Sequence, residues 1–201
     1  MTETILIVGL GNPGEEYKNT PHNMGRLAVS LWTSGQHFPE FRLEKKFAAQ
    51  MSEGMAGEQK IIVALPETFM NNSGVSVAAI ANFYRPSRKA SERHSKISTK
   101  NILVVHDDID IPLGNVRVAL GGSSAGHYGI ESIVEKLSTA NFWRFRVGIR
   151  PLEPLQIPLE AYVLQKNTID KEQTSRAIAR VKTLLSLALE QGVEAAREKS
   201  D

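Results

Sequence analysis

Short apolar runs alternate along this chain with stretches that carry apolar residues at helical spacing. The first run, residues 3–8, is rich in β-branched residues and stops at Gly9, as a buried strand does. Met24, Leu27, Ala28, Leu31 and Trp32 then mark a first helix. Strands interleaved with helices are typical of layered α/β proteins. The sequence therefore predicts a single-domain three-layer sandwich, in which helices flank a mixed, mostly parallel central sheet.

The remaining elements follow the same alternation. Further strands are predicted at Phe47–Met55, Lys60–Leu65, Ile102–Val105, Asn115–Leu120 and Phe142–Ile149. Further helices are predicted from Val75 to Phe83, from Ile130 to Leu137, and from near Asp170, the last with Ile178, Val181, Leu185 and Ala188 inward. Ligands bind at the carboxyl ends of strands in such sheets. The loops that follow predicted strands should therefore share one edge; they are Gly11–His22, Glu67–Gly74, His106–Asp110 and Gly121–Gly129.

Composition excludes several classes of protein. The chain has 201 residues, of which 41% are hydrophobic and 23% charged, with no cysteine and no apolar run that approaches membrane-spanning length. Disulfides, thiolate zinc sites and a cysteine nucleophile are therefore excluded. No basic leader precedes the first strand, which predicts a cytoplasmic protein, or a mitochondrial one whose presequence has been removed.

One segment is unusually basic although the formal net charge is only +2. Residues 85–100 contain six basic side chains and a single acidic one, Glu92, without a hydrophobic period. Such a run is more typical of a solvated loop than of a binding surface. We predict one domain over residues 1–201, with a flexible basic insertion at about 86–100.

The loop after the first strand resembles a dinucleotide-binding motif. Gly9–Gly14 satisfies the pattern G-x-G-x-x-G. However, the last glycine does not open a helix, and Glu15 and Glu16 would crowd a pyrophosphate. The acid that binds the ribose is also missing from Leu31–Phe38. We interpret this loop as a shaped turn and not as a nucleotide site.

Four polar residues on three of these loops suggest hydrolysis by an activated water. A neutral imidazole at His22 can take a proton from water, and a buried carboxylate at Asp107 can fix its tautomer. The amides of Asn12 and Asn71 can donate to a developing oxyanion. The histidines and acids lack the spacing of a metallohydrolase helix, and there is no G-x-S-x-G elbow. Each of the four residues alone is as readily explained as a cap or turn residue.

Six short motifs follow one another along the chain: Val8–Gly14 with Tyr17, His22–Gly25, Thr68–Asn71 with Ser73-Gly74, His106–Asp110 with Pro112 and Gly114, Gly126-His127 with Gly129, and Arg144–Ile149. Together these motifs resemble the bacterial-type peptidyl-tRNA hydrolase family, which cleaves the ester between a peptide and the 3′ ribose of tRNA. Their order and spacing agree over about residues 4–165.

The resemblance implies roles for individual residues. His22 would be the catalytic base and Asp107 the carboxylate that orients it, while Asn12 and Asn71 would position the substrate and support the tetrahedral intermediate. The residues assigned to substrate binding are Tyr17, Asn23, Phe69, Met70, Arg117, His127, Tyr128 and Arg146. Among these, Arg117 and Arg146 would face the tRNA backbone. A monomer that acts on peptidyl-tRNA away from membranes, without metal or organic cofactor, is expected.

The chain departs from the family at several positions. Tyr128 stands where Gly-His-Asn-Gly is usual, so a phenol replaces an amide; Ser124-Ala125 stands where a histidine-glycine pair is common, and Ala119 where a lysine is common. These departures and the basic insertion leave open a non-catalytic RNA-binding relative of the same fold, like a splicing factor. A nucleotide-dependent α/β enzyme is a third, weaker alternative.

Overall fold

A single mixed sheet forms the centre of the computed structural model, which describes residues 3–84, 97–166 and 170–200 and has seven strands within them. The strands are β1 (Thr4–Gly9), β2 (Arg42–Glu44), β3 (Ala49–Ala56), β4 (Gln59–Pro66), β5 (Ile102–Pro112), β6 (Val116–Leu120) and β7 (Trp143–Arg150). Their spatial order is β2-β3-β4-β1-β5-β7-β6. The four neighbours β4, β1, β5 and β7 run parallel, whereas β2, β3 and β6 pair antiparallel. The predicted sheet type is confirmed.

Helices cover both faces of this sheet. Within the described residues they are α1 (Met24–Ser34), α2 (Ser73–Phe83), α3 (Tyr128–Leu137), α4 (Leu159–Leu164), α5 (Lys171–Gln191) and α6 (Val193–Ser200). The core on one face joins α1, α5 and α6 to the sheet, and the core on the other face joins α2 and α3 to it. The three-layer sandwich is thereby confirmed. None of the helices in this described part has the length and apolarity needed to span a bilayer.

Local sequence signals account for the elements that were predicted well. In β7, Trp143, Phe145 and Val147 alternate toward the α1–α5 face, which is the period of a strand. The side chain of Asp170 accepts a hydrogen bond from the Gln173 N–H at 2.9 Å and caps α5. The predicted inward residues of α5 are buried, except that Ile178 is only partly so.

Other boundaries differ from the prediction. Strand β5 does not end at Val105 but continues to Pro112, because Asp107 and Asp108 pair with Val147 and Gly148 of β7. Residues 36–46, for which no strand or helix was predicted, contain β2, and the region after Arg150 contains α4.

Two further differences concern α2 and the segment after it. In α2, Val75 and Phe83 of the predicted stripe are exposed, whereas Val77 and Ile80 are buried. Of the predicted basic insertion, residues 86–96 lie outside the described residues, while Ile97 is packed in the core.

The loop 121–127 reaches the site by a route that the sequence did not predict. Because β6 runs antiparallel to β7, with Leu120 beside Trp143, the loop starts at the opposite edge of the sheet. The loop was predicted to lie at the same edge as the other three loops; its first residues do not, and only residues 124–127 reach that edge. The loop instead runs back along the sheet, where Arg144 Nη1 donates to the Ser123 carbonyl at 2.7 Å, and α3 begins beside the other loops.

Helices α2 and α3 touch at a glycine. A Cβ on Gly74 would lie 2.0 Å from the Ser132 carbonyl oxygen, and the Gly74 N–H donates to Ser132 Oγ at 3.0 Å. The backbones therefore need glycine here. We expect Gly74→Ala to lower the free energy of unfolding by about 1–3 kcal/mol, the usual cost of forcing an extra methyl into a packed contact.

Urea denaturation of the purified variant measures this change. The matched control is Val75→Ala on the exposed side of the same helix, which should change stability by less than about 0.5 kcal/mol. Equal stability of the two variants would show that α3 shifts freely to admit the methyl group.

Candidate active site

A buried carboxylate lies at the centre of the candidate site. Asp107 is on β5, and His22 lies in a short 3₁₀ turn, Pro21–Asn23, immediately before α1. His22 Nδ1 is 3.0 Å from both carboxylate oxygens of Asp107. The hydrogen bond requires a proton on Nδ1, so Nε2 carries the free lone pair. His22 Nε2 has no hydrogen-bond partner among the described residues.

A second imidazole donates to the same carboxylate. His127 caps α3: its Nδ1 accepts from the backbone N–H groups of Gly129 and Ile130 at 3.1 and 3.3 Å. Because those donors occupy the Nδ1 lone pair, the ring proton is on Nε2, which is 2.9 Å from Asp107 Oδ1. Asp107 therefore accepts from an imidazole on each side. The resemblance assigned His127 to substrate binding, whereas the structure engages it with Asp107.

A third histidine, His106, packs against His127 and is hydrogen-bonded to the backbone of Asp107. It is fully buried, its Nδ1 donates to the Asp107 carbonyl oxygen at 2.7 Å, and its ring meets the His127 ring edge-on with centroids 4.8 Å apart. Burial, followed by the proximity of His127, holds the pKa of His106 well below its ordinary value. His106 is therefore a neutral packing partner that fixes the His127 ring.

The electrostatics favour an ionised Asp107. Burial alone raises the pKa of the Asp107 carboxyl, but the two imidazoles outweigh burial and hold that pKa far below its usual range. Burial lowers the pKa of His22, whereas the charge and the hydrogen bond of Asp107 raise it. The effect of Asp107 is the larger, so the pKa of His22 is raised above its ordinary value. Asp107 thus makes His22 a stronger base than a free imidazole.

Asn12 is oriented by its neighbours. Its side-chain Oδ1 accepts from the Met70 N–H at 2.8 Å, so its Nδ2 group is left as a donor. Asn23 holds the Asn12 backbone at both ends, accepting from Asn12 N–H and donating to Asn12 carbonyl, each at 2.9 Å. Asn23 is buried and does not line the cavity. The assignment of Asn23 to direct substrate contact does not fit this geometry, because both ends of its amide are engaged.

A cavity of about 720 Å³ opens over these groups. Its lining includes predicted residues from four segments of the chain: Asn12, Tyr17, His22, Phe69, Met70, Asn71, Asp107, His127 and Tyr128. Asn71 is exposed to this cavity without a hydrogen-bond partner among the described residues. The rings of Tyr17 and Phe69 meet edge-on, with centroids 6.3 Å apart. The structure therefore gathers the predicted polar quartet around one space.

The two predicted tRNA-facing arginines lie outside the cavity lining. Arg117 is exposed on β6, directly across from Arg146 on β7. Arg146 Nε donates to Asp108 Oδ2 at 2.7 Å, and Asp108 Oδ1 accepts from the Asp110 N–H at 2.9 Å. Asp108 lines the cavity, but both of its oxygens are occupied, so it does not compete with His22 as a base.

An apolar part of the lining was not predicted as part of the site. It consists of Ile109, Ile149, Leu159, Val163 and Leu164. The last three belong to α4, and the spacing Leu159, Val163, Leu164 is a helical stripe that was available in the sequence. The proline-rich stretch before it obscured this signal. The cavity thus has a polar part at the strand ends and an apolar part at α4.

The trio His22, Asp107 and His127 has the composition of a metal site. Its potential ligand atoms lie within 4.8 Å of one another. However, the backbone donors on His127 Nδ1 require the proton on Nε2, so that nitrogen has no lone pair for an ion. The hydrogen-bonded arrangement explains these three residues without a metal.

Comparisons with known proteins agree with this geometry. A family model described as peptidyl-tRNA hydrolase matches residues 6–201. The peptidyl-tRNA hydrolase of Rhodococcus erythropolis is 34% identical over 200 residues, 98% of each chain. That of Wolbachia pipientis wMel is 43% identical over 162 residues, 80% of each. The crystal structure of peptidyl-tRNA hydrolase from Acinetobacter baumannii matches with a TM-score of 0.83 at 29% identity, covering 99% of this chain and 95% of that one. The chain belongs to the peptidyl-tRNA hydrolase family.

Proposed function

We propose that this chain hydrolyses the ester of peptidyl-tRNA by activating water at His22. The observation that carries the proposal is the hydrogen bond of His22 Nδ1 to both oxygens of Asp107, which leaves Nε2 as a base without a partner in the described residues. A water bound there can attack the ester carbonyl while His22 takes its proton. The same proton then passes to the 3′ oxygen of the ribose as the ester bond breaks.

The developing oxyanion needs hydrogen-bond donors that are neutral and do not ionise near pH 7. Asn12 Oδ1 accepts from the Met70 N–H, which fixes the orientation of the amide and leaves its Nδ2 group available as a donor to the oxyanion. The free amide of Asn71, which lines the same cavity, supplies a second donor. Preorganised amide donors of this kind contribute about 3–4 kcal/mol each to transition-state stabilisation.

Substrate binding divides between two surfaces. The apolar lining from α4 suits the peptide, and the exposed Arg117 with its neighbour Arg146 suits the phosphates of the tRNA. We propose a monomer, because the His22–Asp107 pair and the amides of Asn12 and Asn71 assemble around one cavity within one chain. Peptidyl-tRNA arises where translation takes place, so we propose the cytoplasm as the location. The intact His22–Asp107 pair argues against the non-catalytic RNA-binding alternative, which has no use for a buried charge beside a base.

We expect His22→Ala to reduce kcat by at least about 10²-fold, the usual contribution of a positioned general base, while tRNA affinity stays within about twofold. Release of N-acetyl-aminoacyl groups from tRNA measures the rate, and filter binding measures affinity. His37→Ala, at an exposed histidine after α1, is the matched control. Undiminished cleavage by His22→Ala would overturn the proposed mechanism, and no cleavage by the unaltered protein would overturn the hydrolase itself.

The pH dependence gives an independent test of Asp107. His22 acts as the neutral base, so activity is lost as pH falls through its raised pKa. Asp107→Asn removes the charge that raises this pKa and leaves the burial that lowers it. The acidic limb of kcat against pH should therefore move to lower pH, and kcat should fall by about 10²- to 10⁴-fold. Asp110→Asn, an exposed neighbour, should leave the limb in place. An unmoved limb in Asp107→Asn would assign the titration to another group.

The basic insertion is expected to add to tRNA affinity by charge alone. Replacing Arg88 and Lys89 by Gln should reduce the slope of log Kd against log salt by about one unit or more, since each lost phosphate contact removes about 0.7–0.9. The control removes the same charge at Lys182 and Lys199, which line a separate groove between α1 and α5. If both variants have the slope of the unaltered protein, the insertion is only a connection.

A further inference from the structure

Tyr128 is a large aromatic side chain left uncovered beside the candidate site. It is the first residue of α3 and lines the cavity, yet 56% of it is exposed. Within the described residues it makes no hydrogen bond or ring contact. Tyr17 and Phe69, in contrast, pack against each other. A single exposed ring is ordinary on a protein surface, but a ring that lines a cavity is placed to contact whatever that cavity binds.

The backbone under Tyr128 is held rigidly. The preceding residue, His127, is bound to Asp107 through Nε2 at 2.9 Å and caps the first turn of α3 through Nδ1. The ring is thus carried one residue from the groups proposed to activate water. The residues that precede it in the cavity lining are small, namely Ser124, Ala125 and Gly126, and a Cβ added to Gly126 would meet nothing within 4 Å. The segment 124–126 therefore places no bulky side chain on this side of the cavity.

The proposed substrate places such a group there. Its ester is on the ribose of the 3′-terminal nucleotide, so the base on that same sugar must lie beside the water-activating groups. That nucleotide is unpaired, and an unpaired base offers its π-face to aromatic side chains. An adenine at this end presents a broader stacking face than a pyrimidine.

We propose that Tyr128 is the stacking platform for the base of the 3′-terminal nucleotide. The inference rests on the proposed function and deepens it: the aromatic ring positions the tRNA end, and no hydrogen bond from the phenol is required. Tyr128 is then a binding residue that fixes the sugar, and with it the ester carbon, relative to His22.

Two substitutions at Tyr128 separate the contribution of the aromatic ring from that of the hydroxyl group. Tyr128→Phe keeps the stacking face, so KM should stay within about twofold. Tyr128→Leu removes the face while remaining apolar, and KM should rise by about fivefold or more, the lower end of the effect of losing one base–aromatic stack. Leu31→Ala, at an exposed leucine on the outer side of α1, controls for loss of exposed apolar surface.

A binding experiment identifies the base. The probe is an RNA hairpin with a single-stranded 3′ end whose terminal base is 2-aminopurine, or whose terminal nucleotide lacks a base. Kd is measured in the His22→Ala background with Tyr128, Tyr128→Phe and Tyr128→Leu. Stacking predicts quenched 2-aminopurine fluorescence with Tyr and Phe but not Leu, and a Leu penalty that disappears for the abasic probe.

The outcomes distinguish this proposal from the proposed function. If the protein cleaves peptidyl-tRNA but Tyr128→Leu behaves like Leu31→Ala, the stacking role is overturned and the hydrolase stands. A Leu penalty that persists at full size on the abasic probe, or a Phe variant as weak as Leu, also overturns it. If the unaltered protein neither cleaves peptidyl-tRNA nor binds the hairpin, the proposed function itself fails.

Discussion

The Asp107 carboxylate is the point at which the three layers of the fold meet. It lies on β5, an interior strand of the sheet, and accepts hydrogen bonds from two histidines. His22 precedes helix α1 on one face, and His127 begins α3 on the other face. A buried charge is costly unless it is fully hydrogen-bonded. The position of each helix N-terminus is therefore tied to the position of one charge, and that charge in turn sets the basicity of His22.

The layered fold followed from the sequence because its signals are local. Strand and helix periods in residues 3–8, 24–32 and 170–191 reflect burial within each element, and all three elements are present. Within them Leu31 is exposed and Ile178 only partly buried, contrary to the predicted stripes. The antiparallel direction of β6 depends on pairing with β7, which is a non-local choice that no residue of β6 encodes by itself. For that reason the route of the loop 121–127 was predicted wrongly, although its residues reach the expected place.

The sequence predicted which residues gather at the candidate site, but not the hydrogen bonds that connect them. Asn12, His22, Asn71 and Asp107 do line one cavity, as the edge argument and the family resemblance suggested. What sequence reasoning could not supply was the hydrogen-bond partner of each group. Asn23 was assigned to the substrate but binds the Asn12 backbone, and His127 was assigned to the substrate but donates to Asp107. Amides and imidazoles have several possible partners, and only three-dimensional geometry selects among them.

The loop 121–127 runs back along the sheet, and its length limits which insertions and deletions the site can tolerate. Leu120 lies beside Trp143 whereas Asp107 lies beside Val147, a distance of about 13 Å along the sheet and about 10 Å across it. The chain from Leu120 to His127 can extend to roughly 24 Å, so it has slack for only a few residues. Deletions there would pull the α3 cap away from the carboxylate, whereas insertions would merely lengthen a surface loop. The site thus tolerates lengthening of this loop but not its shortening.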